Sequence, residues 1–147
     1  SVYGNMSELR EDVYQRALAF ANESMTTKST DDKNSPALNL AIGFLRFAVS
    51  EKWLFRAVYL SGVRSYDLDK DGFIGQQEVL LALQHSQRVR QLSEEAVKRV
   101  FRDLMMYVIG LAAMMNANTV RLDVDEATDM VQAMYEILLS GERRGAR

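Results

Sequence analysis

Asp67-Leu68-Asp69-Lys70-Asp71-Gly72-Phe73-Ile74-Gly75-Gln76-Gln77-Glu78 is the stretch whose reading decides the fold. Asp67, Asp69 and Asp71 stand at alternate positions, so a tightly turning backbone can aim three carboxylates at one point. Hard oxygen donors of this kind suit a hard cation such as calcium. Gly72 follows where the chain must bend through a conformation that costs a residue with a Cβ and costs glycine little. Phe73 can offer its backbone carbonyl, and Gly75, lacking a side chain, can reach the metal only through water. Glu78 closes the loop with two oxygens, giving a wide coordination sphere that calcium tolerates and magnesium does not readily accept. The candidate ligands are therefore Asp67, Asp69, Asp71, Phe73 and Glu78, with Ca2+ as the expected cofactor. An acidic surface turn is the bland alternative, but such turns rarely hold this register by chance.

The bulk composition narrows the classes. A chain of 147 residues can form one compact domain with a real core. Hydrophobic residues at 48%, charged residues at 26% and a single proline favour a folded, largely helical protein over a disordered one. A net charge of -2 supplies no basic field for a phosphate backbone, so nucleic acid is not an expected partner. The absence of cysteine excludes disulfides and thiolate sites and fits a reducing, cytoplasmic setting. The longest apolar run, Leu104 to Met115, is too short to cross a bilayer, and membrane contact is not expected.

Around the acidic stretch the apolar spacing predicts helices. Ser7 can cap a first helix whose stripe is Leu9, Val13, Ala17, Leu18, Ala21 and Met25. Residues 26–35 are polar throughout and read as a loop, and the adjacent Asp31 and Asp32 cannot copy an alternating ligand geometry. Ser35-Pro36 starts a second helix carrying Leu38, Ala41, Ile42, Leu45 and Ala48 on one face. A third is expected from Ser50 through Trp53, Leu54, Val58, Tyr59 and Val63 to Tyr66, running straight into the loop. Val79, Ala82 and Leu83 would begin the helix beyond Glu78, and Ser93 with Glu94 and Glu95 marks another start.

An internal repeat accompanies the loop. A shift of 48 residues lays Tyr59 on Tyr107, Gly62 on Gly110, Ile74 on Leu122 and Glu78 on Glu126. The repeated loop is then Met115 to Glu126, in which Met115, Ala117 and Thr119 replace the aspartates and Val120 replaces the glycine. Glu126 alone cannot hold calcium. Leu122 keeps the apolar position, so a metal-free loop paired to the first by a short β contact is expected. A variant site built from Asn116, Asn118, Asp123 and Asp125 is the contrary reading, but its spacing departs from the calcium pattern.

Residues from about Phe44 to Glu142 resemble the C-terminal lobe of the EF-hand superfamily. Tyr66 to Ile74 looks most like the third hand of calcineurin B-like and neuronal calcium sensor-like proteins. The resemblance implies an all-α fold with a short two-stranded contact between loops, calcium binding, and often a regulatory-subunit role. The expected architecture is an EF-hand pair over 51–141, one loop intact and one degenerate. An N-terminal helical extension over 1–50, itself a worn hand in one reading, and a flexible tail over 142–147 flank the pair.

Six of the eight methionines lie at Met105, Met106, Met114, Met115, Met130 and Met134. Methionine fills irregular cores and also lines adaptable helix-binding grooves. Because Leu104 to Met115 is apolar all round a helix, the side that a two-hand unit leaves open is expected to pack against the N-terminal helices or to take a partner, an amphipathic helix of a target protein in the favoured reading or else a second copy of the chain. The expected role is a calcium sensor or regulatory subunit, with a calcium buffer or a structural interaction module as the alternative. A lone His85 in a polar segment and no nucleophile constellation give no ground for an enzyme.

Overall fold

The computed structural model describes residues 5–27, 36–62, 65, 80 and 89–145, without the side chains of 24–27 and 36–37. These residues are helical with short connections, and no strand occurs among them. Helix α1 is Met6–Thr27, α2 is Pro36–Ser50 and α3 is Lys52–Phe55, continued by a π-helical turn over Arg56–Leu60; α4 is Glu94–Asn116 and α5 is Val124–Gly145. The all-α expectation therefore holds. No helix among the described residues is long and apolar enough to cross a membrane.

Two details of α1 differ from the sequence expectation. Its cap is Asn5, not Ser7: the Glu8 amide donates to Asn5 Oδ1 at 2.9 Å, which satisfies an otherwise orphaned N–H one turn earlier than expected. The buried stripe is Tyr14, Ala17 and Ala21, while Val13 is 51% exposed. The face is rotated because the small Ala17 and Ala21 let α1 lie close on α2, with Tyr14 as the one large buried anchor among its described side chains; Met25 of the expected stripe lies outside them.

Helix α2 lies at the centre. It contacts α1, α4 and α5, and α4 and α5 also pack on each other. Surrounded in this way, α2 buries Ile42, Phe44, Leu45, Phe47 and Ala48, a wider arc than one amphipathic stripe, so its high apolar content follows from its position. An aromatic cluster fills the junction of α2 with α3. Phe44 meets Phe55 at 5.7 Å and Tyr59 at 4.9 Å, both edge-on, and Phe47 meets Phe55 at 6.5 Å. Such edge contacts set the positive rim of one ring against the negative face of another.

The third helix is shorter than its spacing predicts. The backbone breaks at Glu51 (φ −114°, ψ 61°), resumes at Lys52, widens into the π turn and stops at Leu60. Gly62, at φ +69°, terminates it in a left-handed conformation that glycine adopts without a Cβ penalty. The expected run to Tyr66 is thus cut short by a glycine just past the last helical turn. Gly110, its counterpart in the 48-residue repeat, sits inside α4 with open space around it.

Helix α4 starts where Ser93 predicts, with Ser93 Oγ accepting from the Ala96 amide at 3.1 Å and Glu94 and Glu95 in the first turn. Its far side is pinned to the end of α5 by Arg99, whose Nε and a terminal nitrogen donate to the two Glu142 oxygens at 2.9 Å each. This hydrogen-bonded pairing holds the Glu142 carboxyl below its usual range and raises Arg99 further. Glu142 thus belongs to the end of α5, inside the segment expected to be a tail.

Truncating Phe55, which has no exposed surface, to alanine should lower unfolding free energy in urea by about 3–5 kcal/mol. The Arg99–Glu142 pair should show a pH signature. A carboxyl whose folded pKa is depressed contributes stability above its unfolded value and loses it as pH falls through the folded one. The urea-midpoint difference between wild type and Arg99→Gln should therefore be present near neutrality and close in strong acid, below the ordinary carboxylate range.

Candidate metal centre

The expected ligands Asp67, Asp69, Asp71, Phe73 and Glu78 lie outside the described residues, as do His85, the start of the following helix at Val79, Ala82 and Leu83, and the loop over 28–35. Described on the near side is the segment that leads into the acidic stretch, α3 with its π turn and Gly62. The donor set is all oxygen, four carboxylates and one carbonyl, which fits a hard divalent cation. Among the described residues no group of three or more His, Cys, Asp or Glu side chains could hold a metal.

The repeated loop is fully placed, and its residues have other work. Helix α4 runs on through Asn116, so Met115 and Asn116 are helical and the connection is 117–123, not the whole of Met115 to Glu126. The helix ends in a Schellman turn: the Thr119 amide donates to Met114 O at 3.0 Å and the Asn118 amide to Met115 O at 3.2 Å. Asn118 takes the left-handed position at φ 56°, which asparagine tolerates better than most residues. The Thr119 hydroxyl donates to Met114 O as well. Four residues on, α5 opens with a reciprocal cap. Asp123 Oδ1 accepts from the Glu126 amide at 2.8 Å, and the Asp123 amide donates to Glu126 Oε2 at 3.0 Å.

Glu126, the carboxylate shared with the metal pattern, is therefore the return arm of a helix cap. Leu122, expected to form a β contact, packs against the hydrophobic core from a segment without strand geometry. Of the variant ligand set, Asn118 sits at a turn, Asp123 is a cap and Asn116 points into the protein.

Asn116 is the feature that sequence reading missed. It is 2% exposed, the one buried polar side chain among the described residues. Its Nδ2 donates to Ala48 O at 2.8 Å and Lys52 O at 3.0 Å, while its Oδ1 accepts from Arg56 Nε at 2.7 Å. Ala48 is in the last turn of α2, where carbonyls lack helical partners, so the amide satisfies a group that the break at Glu51 leaves open. The three partners are four residues apart and form one ridge across that break. Arg56 also stands over the Trp53 ring at 4.9 Å, and Trp53 is itself 75% exposed. The available signal was an asparagine closing an apolar helical run, easily taken for a loop residue.

The methionines divide between core and surface. Met115 is buried and Met105 and Met134 pack on the core from half-buried positions. Met106 and Met114, at 43% and 46% exposure, face outward on α4 with exposed Gly110 between them, and Met130 and Ile137 are exposed on α5.

Replacing Asn116 with alanine strands a buried carbonyl and the Arg56 donor, so the loss in chemical denaturation should be at least about 2 kcal/mol. Compared with known proteins, the chain matches no family model, no curated sequence and no solved structure.

Proposed function

We propose that this chain is a calcium-binding helix–loop–helix protein of the EF-hand type, with one ion held by Asp67, Asp69, Asp71, the Phe73 carbonyl and Glu78. The observation that carries this reading is the register of residues 67–78: alternate aspartates, a glycine at the bend and a glutamate at the twelfth position. The second hand in this proposal is the α4–α5 hairpin. Its support is the repeat, together with a connection whose amides and carboxylates are consumed by helix capping.

We further assign it the role of a sensor or regulatory subunit that docks an amphipathic partner helix, and no enzymatic one. Four carboxylates in one loop repel each other, and a bound divalent cation supplies the charge that cancels that repulsion. Glu78, last in the loop and next to the helix expected from Val79, is the side chain through which loop closure can reorient that helix. The docking surface has support on α4. Met106 and Met114 flank Gly110 on an outward line. A glycine inside a helix costs about 1 kcal/mol relative to alanine, and nothing within 4 Å of an added Cβ explains Gly110 internally. A close approach by an outside helix would use both the dent and the flexible thioethers.

Calorimetric titration should find uptake of one calcium per chain, abolished by Asp67→Ala and weakened at least tenfold by Glu78→Gln, consistent with loss of about 1.4 kcal/mol or more. Equal uptake by wild type and Asp67→Ala would sink the assignment. Calcium uptake that leaves the amide spectra of α4 and α5 unmoved would favour a buffer or a fold-stabilising ion.

A further inference from the structure

Helix α5 packs on α4 and α2, and its opposite side carries a line of its own. Glu126, Met130, Ala133, Ile137, Ser140 and Arg144 follow one another at steps of four, three, four, three and four residues. All six are exposed, while Ala127, Val131, Tyr135 and Leu139 are buried on the side that meets the core. Alternating steps of three and four keep successive side chains on one narrow face, the spacing by which one helix meets another along a seam. Ile137, in the middle of this line, is the most exposed large apolar side chain of α5 at 59%.

The order of residues along the line decides what can cover it. Its first position is acidic and its last basic, and between them large and small residues alternate. We propose that this face is a homodimer interface, in which α5 of a second copy packs antiparallel about a two-fold axis level with Tyr135. In that register Glu126 faces the partner's Arg144, Met130 faces the partner's Ser140 and Ala133 faces the partner's Ile137, and the axis repeats each pair. Every large side chain then meets a small one, so the two helices can approach and interdigitate. Each end of the seam joins opposite charges. A parallel pairing would set Glu126 on Glu126 and Arg144 on Arg144, with a gap where Ala133 met its own copy.

Local structure supports the same register. Glu126 Oε2 accepts from the Asp123 amide at 3.0 Å, which positions the carboxylate and leaves acceptor capacity for a guanidinium. On the row beside the seam, Asp129 comes near the partner's Arg143 at both ends, while half-buried Glu136 comes near its own copy only at the centre. Attraction therefore outnumbers repulsion on that flank. The surface shares no residue with the α4 line of Met106, Gly110 and Met114, and the proposal does not depend on the calcium reading.

The test uses the full chain in chelator. Sedimentation should show a monomer–dimer equilibrium. Ile137→Glu, a substitution at an exposed helical position, should raise the dimer dissociation constant at least about tenfold with the helix signal unchanged. The chain contains no cysteine, so introduced thiols report direction without background. Under mild oxidation, Met130→Cys chains mixed with Ser140→Cys chains should cross-link to each other faster than either variant to itself. The antiparallel register sets position 130 about 15 Å along the axis from its own copy, beyond disulfide reach. A wild type that stays monomeric to about 1 mM, a dimer that Ile137→Glu leaves within about twofold, or self-cross-linking that matches or outpaces the mixed product overturns the proposal.

Discussion

A single carboxamide buried among apolar side chains sets the geometry of this protein. Asn116 has two donors and an acceptor in a place closed to water, and an unmet amide there would cost far more than a met one returns. Its bonds to Ala48, Lys52 and Arg56 fall in the last turn of α2, at the restart of α3 beyond Glu51 and at the first residue of the π turn. Apolar packing could accept several rotations of α3 against α2. The amide accepts one, because its donors and its acceptor face different partners.

Around that point the fold distributes its constraints by type. Helix ends in the α4–α5 hairpin are settled by neighbours in sequence: Ser93 with Ala96, Asp123 with Glu126, and Asn118 in a left-handed turn. Helix placement is settled by distant residues, through the aromatic cluster of Phe44, Phe47, Phe55 and Tyr59 and through the central position of α2. The repeated loop illustrates how one pattern can serve two ends. A carboxylate at the twelfth loop position is also three residues past the cap of the next helix, and Glu126 takes the cap because no aspartates stand at the first, third and fifth positions to gather around an ion.

The functional reading has two supports of different kinds. The proposed cation site is a matter of residue register in 67–78, where the chemistry of the donors carries the inference. The proposed docking surface is a matter of what the fold leaves uncovered. Of six clustered methionines, Met115 fills the core, Met105 and Met134 edge it, and Met106, Met114 and Met130 remain at the surface. That division follows from which side of α4 and α5 meets α2, and both helices carry apolar residues beyond what α2 can cover.

The sequence by itself determined the helical class, the starts of α2 and α4, the alternating aspartates on which the proposed cation site rests and the loss of aspartates in the repeat. Each of these depends on residues within a turn or two of one another, which is the range over which caps, prolines and alternating carboxylates act. Tertiary structure decided the cap at Asn5, the rotated face of α1, the arrest of the third helix before Gly62 and the role of Asn116. Those choices depend on groups up to 68 positions apart. No local pattern distinguishes an asparagine that will face solvent from one that will find two carbonyls and a guanidinium waiting in the interior.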